Sequence, residues 1–163
     1  MTEIIRIRSG GQTGVDRAAL DVARSCDIPV CGWVPKDGWA EDMTDPPGIL
    51  GEYPDLKEAP GANPRQRTTW NVGDADATLI IYPSYCTSEG TEHTIEIAAS
   101  NDKPLFIARG ESSTRAIIEW LNSLDKERIE LNVGGPRESE CPGIYEKARV
   151  VLTNVIFWNM TKK

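Results

Sequence analysis

The stretch Ala77–Tyr82 reads ATLIIY, an apolar run with no charge and no period-two alternation. A strand with one wet face alternates apolar and polar residues, whereas a strand that is apolar along its length is buried on both faces. Both faces are covered when helices flank a parallel sheet, because parallel neighbours are joined by crossovers long enough to hold a helix. This one segment therefore predicts a sheet with helices on both sides, and the rest of the chain must supply the crossovers.

It supplies them in order. Ile4–Arg8 reads as a first strand, followed by the turn SGGQTG. Val15, Ala18, Ala19, Val22, Ala23 and Cys26 then fall on one helix face, with Asp16, Arg17, Asp21 and Arg24 on the other. Ile28–Trp33 is predicted as the second strand, and Pro64 suits the first turn of a helix running to Ala75. After the third strand, at Ala77–Tyr82, a glycine-containing turn leads into a helix ending near Asn101, and Pro104–Ala108 is the fourth strand. Ala116, Ile117, Trp120, Leu121 and Leu124 mark the buried face of the next helix, and Ile129–Val133 is the fifth strand. The last helix opens at Pro142 and carries Ile144, Tyr145, Ala148, Val151, Leu152, Val155 and Ile156 on one stripe, which is core. Five strand–helix alternations with right-handed crossovers predict an α/β, three-layer Rossmann-like domain with a mainly parallel five-stranded sheet. A length of 163 residues suits one such domain spanning 1–163.

Residues 34–64 break the rhythm. They hold six of the 11 prolines (Pro35, Pro46, Pro47, Pro54, Pro60 and Pro64) with Gly38, Gly48, Gly51 and Gly61. A connection this long is a binding loop, a lid or an insertion. Trp39, Tyr53 and Leu56 give it apolar anchors, so an ordered cover is expected.

Charge and residue counts narrow the function classes. Lys and Arg number 18 against 25 Asp and Glu, a formal net charge of −7, which argues against a surface that coats nucleic acid. No apolar run approaches the ~18–20 residues of a membrane span, and the start MTEIIRIRSGG lacks a secretory pattern, so the expected location is the cytoplasm. Cys26, Cys31, Cys86 and Cys141 show no C-x-x-C spacing and read as small apolar fillers of a reducing compartment. One histidine, His93, excludes a site built from several imidazoles, and no protein-ligated metal is expected.

Three glycine-containing turns fall where strands end and helices begin: Ser9–Gly14, Ser84–Thr91 and Gly134–Ser139. In parallel sheets ligands sit beyond the carboxyl ends of the strands. A helix N-terminus there offers unpaired N–H groups and about half a positive charge, and glycine allows close approach of a phosphate. An acidic chain can thus still hold a small anion. The glycines Gly10, Gly11 and Gly14 do not fit G-x-G-x-x-G, and Trp33 stands where a ribose-binding acid would end the second strand, which disfavours a dinucleotide dehydrogenase. The Gly-Lys-Ser/Thr phosphate loop is absent. Ser88, Gly90 and Thr91 bring hydroxyls and N–H groups to one turn, and Arg137, within GGPRES, is the best-placed guanidinium for an oxyanion. Arg65 and Arg67 precede the third strand. Asp16 favours the dipole of its helix, Glu41 and Asp42 are expected in solvent within the loop, and Glu89, Glu92 and Glu96 surround the second turn with His93 among them.

Taken in order, SGGQTGVDRAALDVA, GWVPKDGWAED, RTTWNVGDADATLI, GTEHTIEIA and LNVGGPRESECPG resemble the molybdenum carrier family, the circularly permuted YpsA branch of the SLOG superfamily. The resemblance runs from Ile5 to beyond Tyr145, with extra residues near Thr44–Tyr53. It implies a Rossmann-like fold related to lonely-guy phosphoribohydrolases and to molybdenum cofactor carriers, with a nucleotide-like or pterin-phosphate ligand at the same sheet edge. Carried over, the oxyanion contacts are Gly10, Gly11, Thr13 and Gly14 with Gly90 and Thr91, while Asp16 and Arg17 belong to the first motif and Arg137 to the last. The hydrolases carry Gly-Thr-x-x-Glu; here Thr94 occupies the glutamate's register, with acids displaced to Glu92 and Glu96.

Two functions follow. One is a binding protein for a phosphorylated pterin or nucleotide, with molybdenum cofactor or an oxyanion as cargo and Ser88 and Arg137 among its contacts. The other is a hydrolase of a nucleotide N-glycosidic bond, with Glu92 or Glu96 as acid/base. A ligand-sensing module acting with partner proteins is a third possibility. The related folds pair through helices, so a homo-oligomer is expected, without nucleic-acid or membrane partners.

Overall fold

The computed structural model describes residues 2–61, 63–110 and 113–161. Its main sheet is parallel, in the order β2-β1-β7-β5-β6. These strands are β1 (Glu3–Arg8), β2 (Val30–Cys31), β5 (Ala77–Ile81), β6 (Leu105–Ala108) and β7 (Arg128–Gly134). All five residues of β5 are buried, as its uniform apolarity requires. The helices are α1 (Val15–Ser25), α2 (Pro64–Asp74), α3 (Glu89–Ser100), α4 (Thr114–Ser123) and α5 (Ile144–Thr161).

The chain leaves β1 through α1 toward β2 on one side, and leaves β5 through α3 toward β6 on the other. With right-handed crossovers this puts α1 and α3 on opposite faces. α1 packs on α5, which packs on α4, while α2 packs on α3. The strand order therefore reverses around β1, β7 and β5, and a crevice beyond their carboxyl ends is where a fold of this kind binds ligands. The stripe on α5 is core as expected at Ile144, Ala148, Val151, Leu152, Val155 and Ile156, which are buried, while Tyr145 is half-buried against that core.

The second strand differs from expectation. In place of one strand over Ile28–Trp33, Val30–Cys31 pairs with β1, and β3 (Trp33–Val34) pairs instead with β4 (Lys57–Glu58) in a separate two-stranded parallel sheet. The break is at Gly32, with φ of 141°, where a Cβ would lie 2.0 Å from the Ser9 carbonyl oxygen. The backbone passes too close to the first turn for any side chain, and the chain turns out of the main sheet there.

Residues 34–61 form a cover with its own core. Val34, Ile49, Tyr53 and Leu56 are buried against Leu20 of α1. The Tyr53 hydroxyl donates to Asp21 of α1, and the Tyr145 hydroxyl reaches the other oxygen of that carboxylate at 2.7 Å. Burial and the Asp21 charge push the Tyr145 phenol up to about 12. The pairing ties the loop to α1 and α5.

Candidate functional site at the carboxyl edge of the sheet

The first turn joins β1 to α1, and its glycines make room for protein. A Cβ on Gly14 (φ 71°) would lie 2.3 Å from the Pro136 carbonyl oxygen, so the first turn is packed on the third. A Cβ on Gly11 (φ 73°) would lie 2.9 Å from Val34 of the cover. At Gly10 the space is taken by Arg67 from the first turns of α2, whose Nη1 would be 1.8 Å from the added atom. The close approach that glycine permits is used here by Pro136, Val34 and Arg67.

Acids of the cover reach this edge. Glu41 is half-buried, which corrects the expectation that it lies in solvent, whereas Asp42 stays exposed as expected but is paired. Glu41 accepts hydrogen bonds from the Thr13 hydroxyl, the Ser139 hydroxyl (2.6 Å) and the Ser139 N–H (3.2 Å), and lies 3.7 Å from Arg137 Nη1. Burial acts to raise its carboxyl, but the Ser139 and Thr13 bonds and the Arg137 charge together hold it below the usual range. Asp42 takes a two-pronged bond from Arg17 at 2.9 and 3.0 Å, and that bond lowers its carboxyl. Gln12 completes the junction, its side-chain oxygen accepting from the N–H groups of Thr13 (3.1 Å) and Glu41 (2.8 Å). Thr13 also accepts from the Glu138 N–H at 3.1 Å. Three segments distant in sequence thus meet at Thr13.

Below this junction lie Asp16 and Arg67. Asp16 accepts from the Gln12 N–H at 3.3 Å and is 3.9 Å from Arg67 Nη1. Burial raises the Asp16 carboxyl, against the opposing pull of Arg67 and Arg17. The Arg67 Nε is enclosed and bonds nothing. Burial lowers the Arg67 guanidinium, Asp16 opposes the change, and the neighbouring Arg137 adds to it. Arg137 is tied to acids: its N–H donates to Glu140 at 2.9 Å, and its Nη2 reaches the same carboxylate at 3.3 Å.

The second turn is organised around its own cap. Ser88 accepts from the Thr91 N–H (3.2 Å) and hydroxyl (2.8 Å), a serine N-cap that orders the start of α3. The Tyr82 hydroxyl accepts from the Ser88 N–H at 3.0 Å and donates to Glu92 at 3.1 Å. Glu96 is 77% exposed and 3.8 Å from the His93 ring. A Cβ on Gly90 would meet nothing within 4 Å, so the surface there is open. Cys86, before this turn, and Cys141, after the third, are joined as a disulfide with Cα atoms 5.6 Å apart. This corrects the reading of Cys86 and Cys141 as small fillers of a reducing compartment; Cys26 and Cys31 are free thiols. The second and third turns meet at one sheet edge, which brings residues 55 apart in sequence into bonding range.

The structure therefore brings Gly10, Gly11, Thr13, Gly14, Asp16, Arg17 and Arg137 into one cluster, with Ser88, Gly90 and Thr91 on the adjoining turn bridged by the disulfide. Neither Glu92 nor Glu96 bonds to the first cluster. Glu41, Ser139 and Glu140 carry more of the geometry than their sequence context signals. Nothing in the local sequence marks Glu41, whose partners Thr13 and Ser139 lie 28 and 98 positions away. A cavity of about 420 Å³ lies elsewhere, beside β1 and β2, and contains none of the predicted site residues. Among the described residues, no group of three or more His, Cys, Asp or Glu is placed to hold a metal ion, and no helix is long and apolar enough to cross a membrane.

The family model described as the Circularly permutated YpsA SLOG family matches residues 7–156. A crystal structure at 1.45 Å from Syntrophus aciditrophicus SB, named Putative molybdenum carrier protein, is similar at 37% identity and a TM-score of 0.82. The match covers 95% of this chain and 96% of that one. No curated protein matches the chain.

Proposed function

The chain belongs to the circularly permuted YpsA family of SLOG proteins, and on that premise we propose that it is a binding protein, a carrier of molybdenum cofactor or of a related phosphorylated pterin, nucleotide or oxyanion. The observation that carries this reading is the receptor around Glu41. Thr13 and Ser139, from two different turns, direct two hydroxyls and one N–H at a single carboxylate, with Arg137 alongside. Oxygens of a carboxylate and of a phosphate make the same demand on donors, so the donor set that Glu41 fills is chemically suited to a phosphate that displaces it. The carrier function is drawn from the name of the similar protein. Gripping a cofactor by its phosphate and pterin requires no cluster of protein ligands to the metal.

The test is retention. Purified protein is incubated with molybdenum cofactor, molybdate or tungstate, and the bound fraction is measured against concentration. Saturable binding supports the reading, and its absence with all three refutes it. A panel of nucleoside monophosphates tests the hydrolase alternative, for which Glu92, held by Tyr82 beside the α3 cap, is the better placed acid. Base release abolished by Glu92→Gln would transfer the assignment to hydrolysis.

A further inference from the structure

Arg67 is an anomaly in an edge where other charges have partners. Glu41, Asp42, Arg17 and Arg137 all lie within 3.7 Å of an opposite charge. Among the described residues, Arg67 meets one opposite charge, Asp16 Oδ2 at 3.9 Å, beyond hydrogen-bond range. Its Nε is enclosed without a partner, as is that of Arg17, but the Arg17 Nη atoms are hydrogen-bonded and those of Arg67 are not. Burying a guanidinium is costly unless its hydrogen bonds are made, so a cation left in this state calls for a physical explanation. Salt-bridge stabilisation is a poor one, because the Asp16 contact is long and Asp16 is itself opposed to ionisation by burial. Filling space is another poor one, because Gly10 is the residue that leaves room for Arg67 Nη1 to lie against the backbone. The side chain is 17% exposed, so solvent still reaches it. A second guanidinium, that of Arg137, acts on it with like charge. Two cations at the carboxyl edge of a parallel sheet, one lacking a hydrogen-bonded partner, form the complement of an anion with several oxygens.

We propose that Arg67 anchors a tetrahedral oxyanion beside Gly10, within reach of Arg137, and that this oxyanion is the phosphate ester of the bound ligand or molybdate itself. The inference rests on the binding reading above and names the group that recognises the ligand's charge. The ligand's oxygens supply the hydrogen bonds that Arg67 lacks. Arg67 then reports occupancy of the site, whereas Thr13 and Ser139 are already engaged by Glu41.

Thermal melting and calorimetric titration of the full chain with molybdate, tungstate, inorganic phosphate and AMP test this, on wild type, Arg67→Gln and Arg67→Lys. The expected result is that at least one oxyanion stabilises the wild type, that Arg67→Gln weakens its binding about tenfold or more, and that Arg67→Lys, which keeps the charge without the fork, lies between. Which probe binds separates the two sources: AMP and phosphate without molybdate point to the ester, and molybdate with tungstate points to the metal oxyanion. Without ligand, Arg67→Gln is expected to melt no lower than wild type, since the cation it removes is unsatisfied; a large drop would assign Arg67 to structure and overturn the proposal. Equal binding by wild type and Arg67→Gln would overturn it while leaving the carrier reading intact. No oxyanion or AMP binding by wild type would also overturn it, and retention of molybdenum cofactor would then decide the carrier reading separately.

Discussion

Replacing Glu41 tests whether the cover is latched by charge. Its carboxylate accepts three hydrogen bonds, from Thr13 and twice from Ser139, and faces Arg137. A hydrogen bond to a charged group contributes about 1.5–3 kcal/mol. One-fifth of the Glu41 side chain is exposed, and freed hydroxyls can bond water, so the sum is discounted to about 2–4 kcal/mol for Glu41→Ala. For a domain of this size each kcal/mol moves the melting temperature by about 2–4 °C, giving a fall of about 4–16 °C at pH 7. The sign of the pH dependence follows from the lowered carboxyl. A carboxylate whose folded pKa lies below its unfolded value contributes stability above that unfolded value and loses it as pH falls toward the folded one. The gap between wild type and Glu41→Gln should therefore be constant from pH 8 to about 5 and shrink below the ordinary value of 4.5. Calorimetric melts across this range measure it, with hydrogen exchange over residues 34–58 reporting whether the cover itself loosens. No gap at pH 7, or a gap that persists undiminished at pH 3, would refute the latch.

Asp16→Asn should melt at or above wild type at pH 7–8, with the difference closing as pH falls toward 3.8: a raised folded carboxyl pKa favours folding at low pH and opposes it as pH rises. It should also strengthen oxyanion binding at Arg67, and a lower melting point at pH 7 would show that the ion pair outweighs the burial cost. Gly14→Ala should lose about 2–4 kcal/mol, because its φ of 71° and the Pro136 carbonyl at 2.3 Å leave no room for a methyl group. Gly90→Ala, with open space, should instead gain about 0.5–1 kcal/mol of helix propensity and weaken any ligand that uses that space, as titration would show. Thiol titration of unfolded but unreduced protein should count the two free cysteines, Cys26 and Cys31. Cys86→Ser should cost about 4 kcal/mol through loss of a loop closed over 55 residues; four thiols before reduction would refute the bridge.

What could be read in advance divides along the range of the forces involved. Ala77–Ile81 and the α5 stripe were legible because burial on a sheet or helix is written in neighbouring residues. The break at Gly32 was not, because its cause is Ser9, 23 positions earlier, pressing on the backbone. Glu41 looks like a solvated loop acid until Thr13 and Ser139 are placed beside it, 28 and 98 positions away, and exposed Asp42 looks unpaired until Arg17, 25 positions away, is placed beside it. The same distance hid Arg67, which resembles any surface arginine of a short polar helix until Gly10 is found beneath it. The net charge of −7 takes on a different meaning from these placements. Several of the excess acids sit on the very donors that would hold a phosphate: Glu41 on Thr13 and Ser139, Glu138 on the Gly143 and Tyr145 N–H groups at the start of α5, and Asp16 on the Gln12 N–H. An anionic ligand must therefore either displace a carboxylate or bind where none is hydrogen-bonded. Arg67 is the cation of this edge that meets the second condition, and its requirement for oxygen acceptors links the charge balance of the chain to the proposed site.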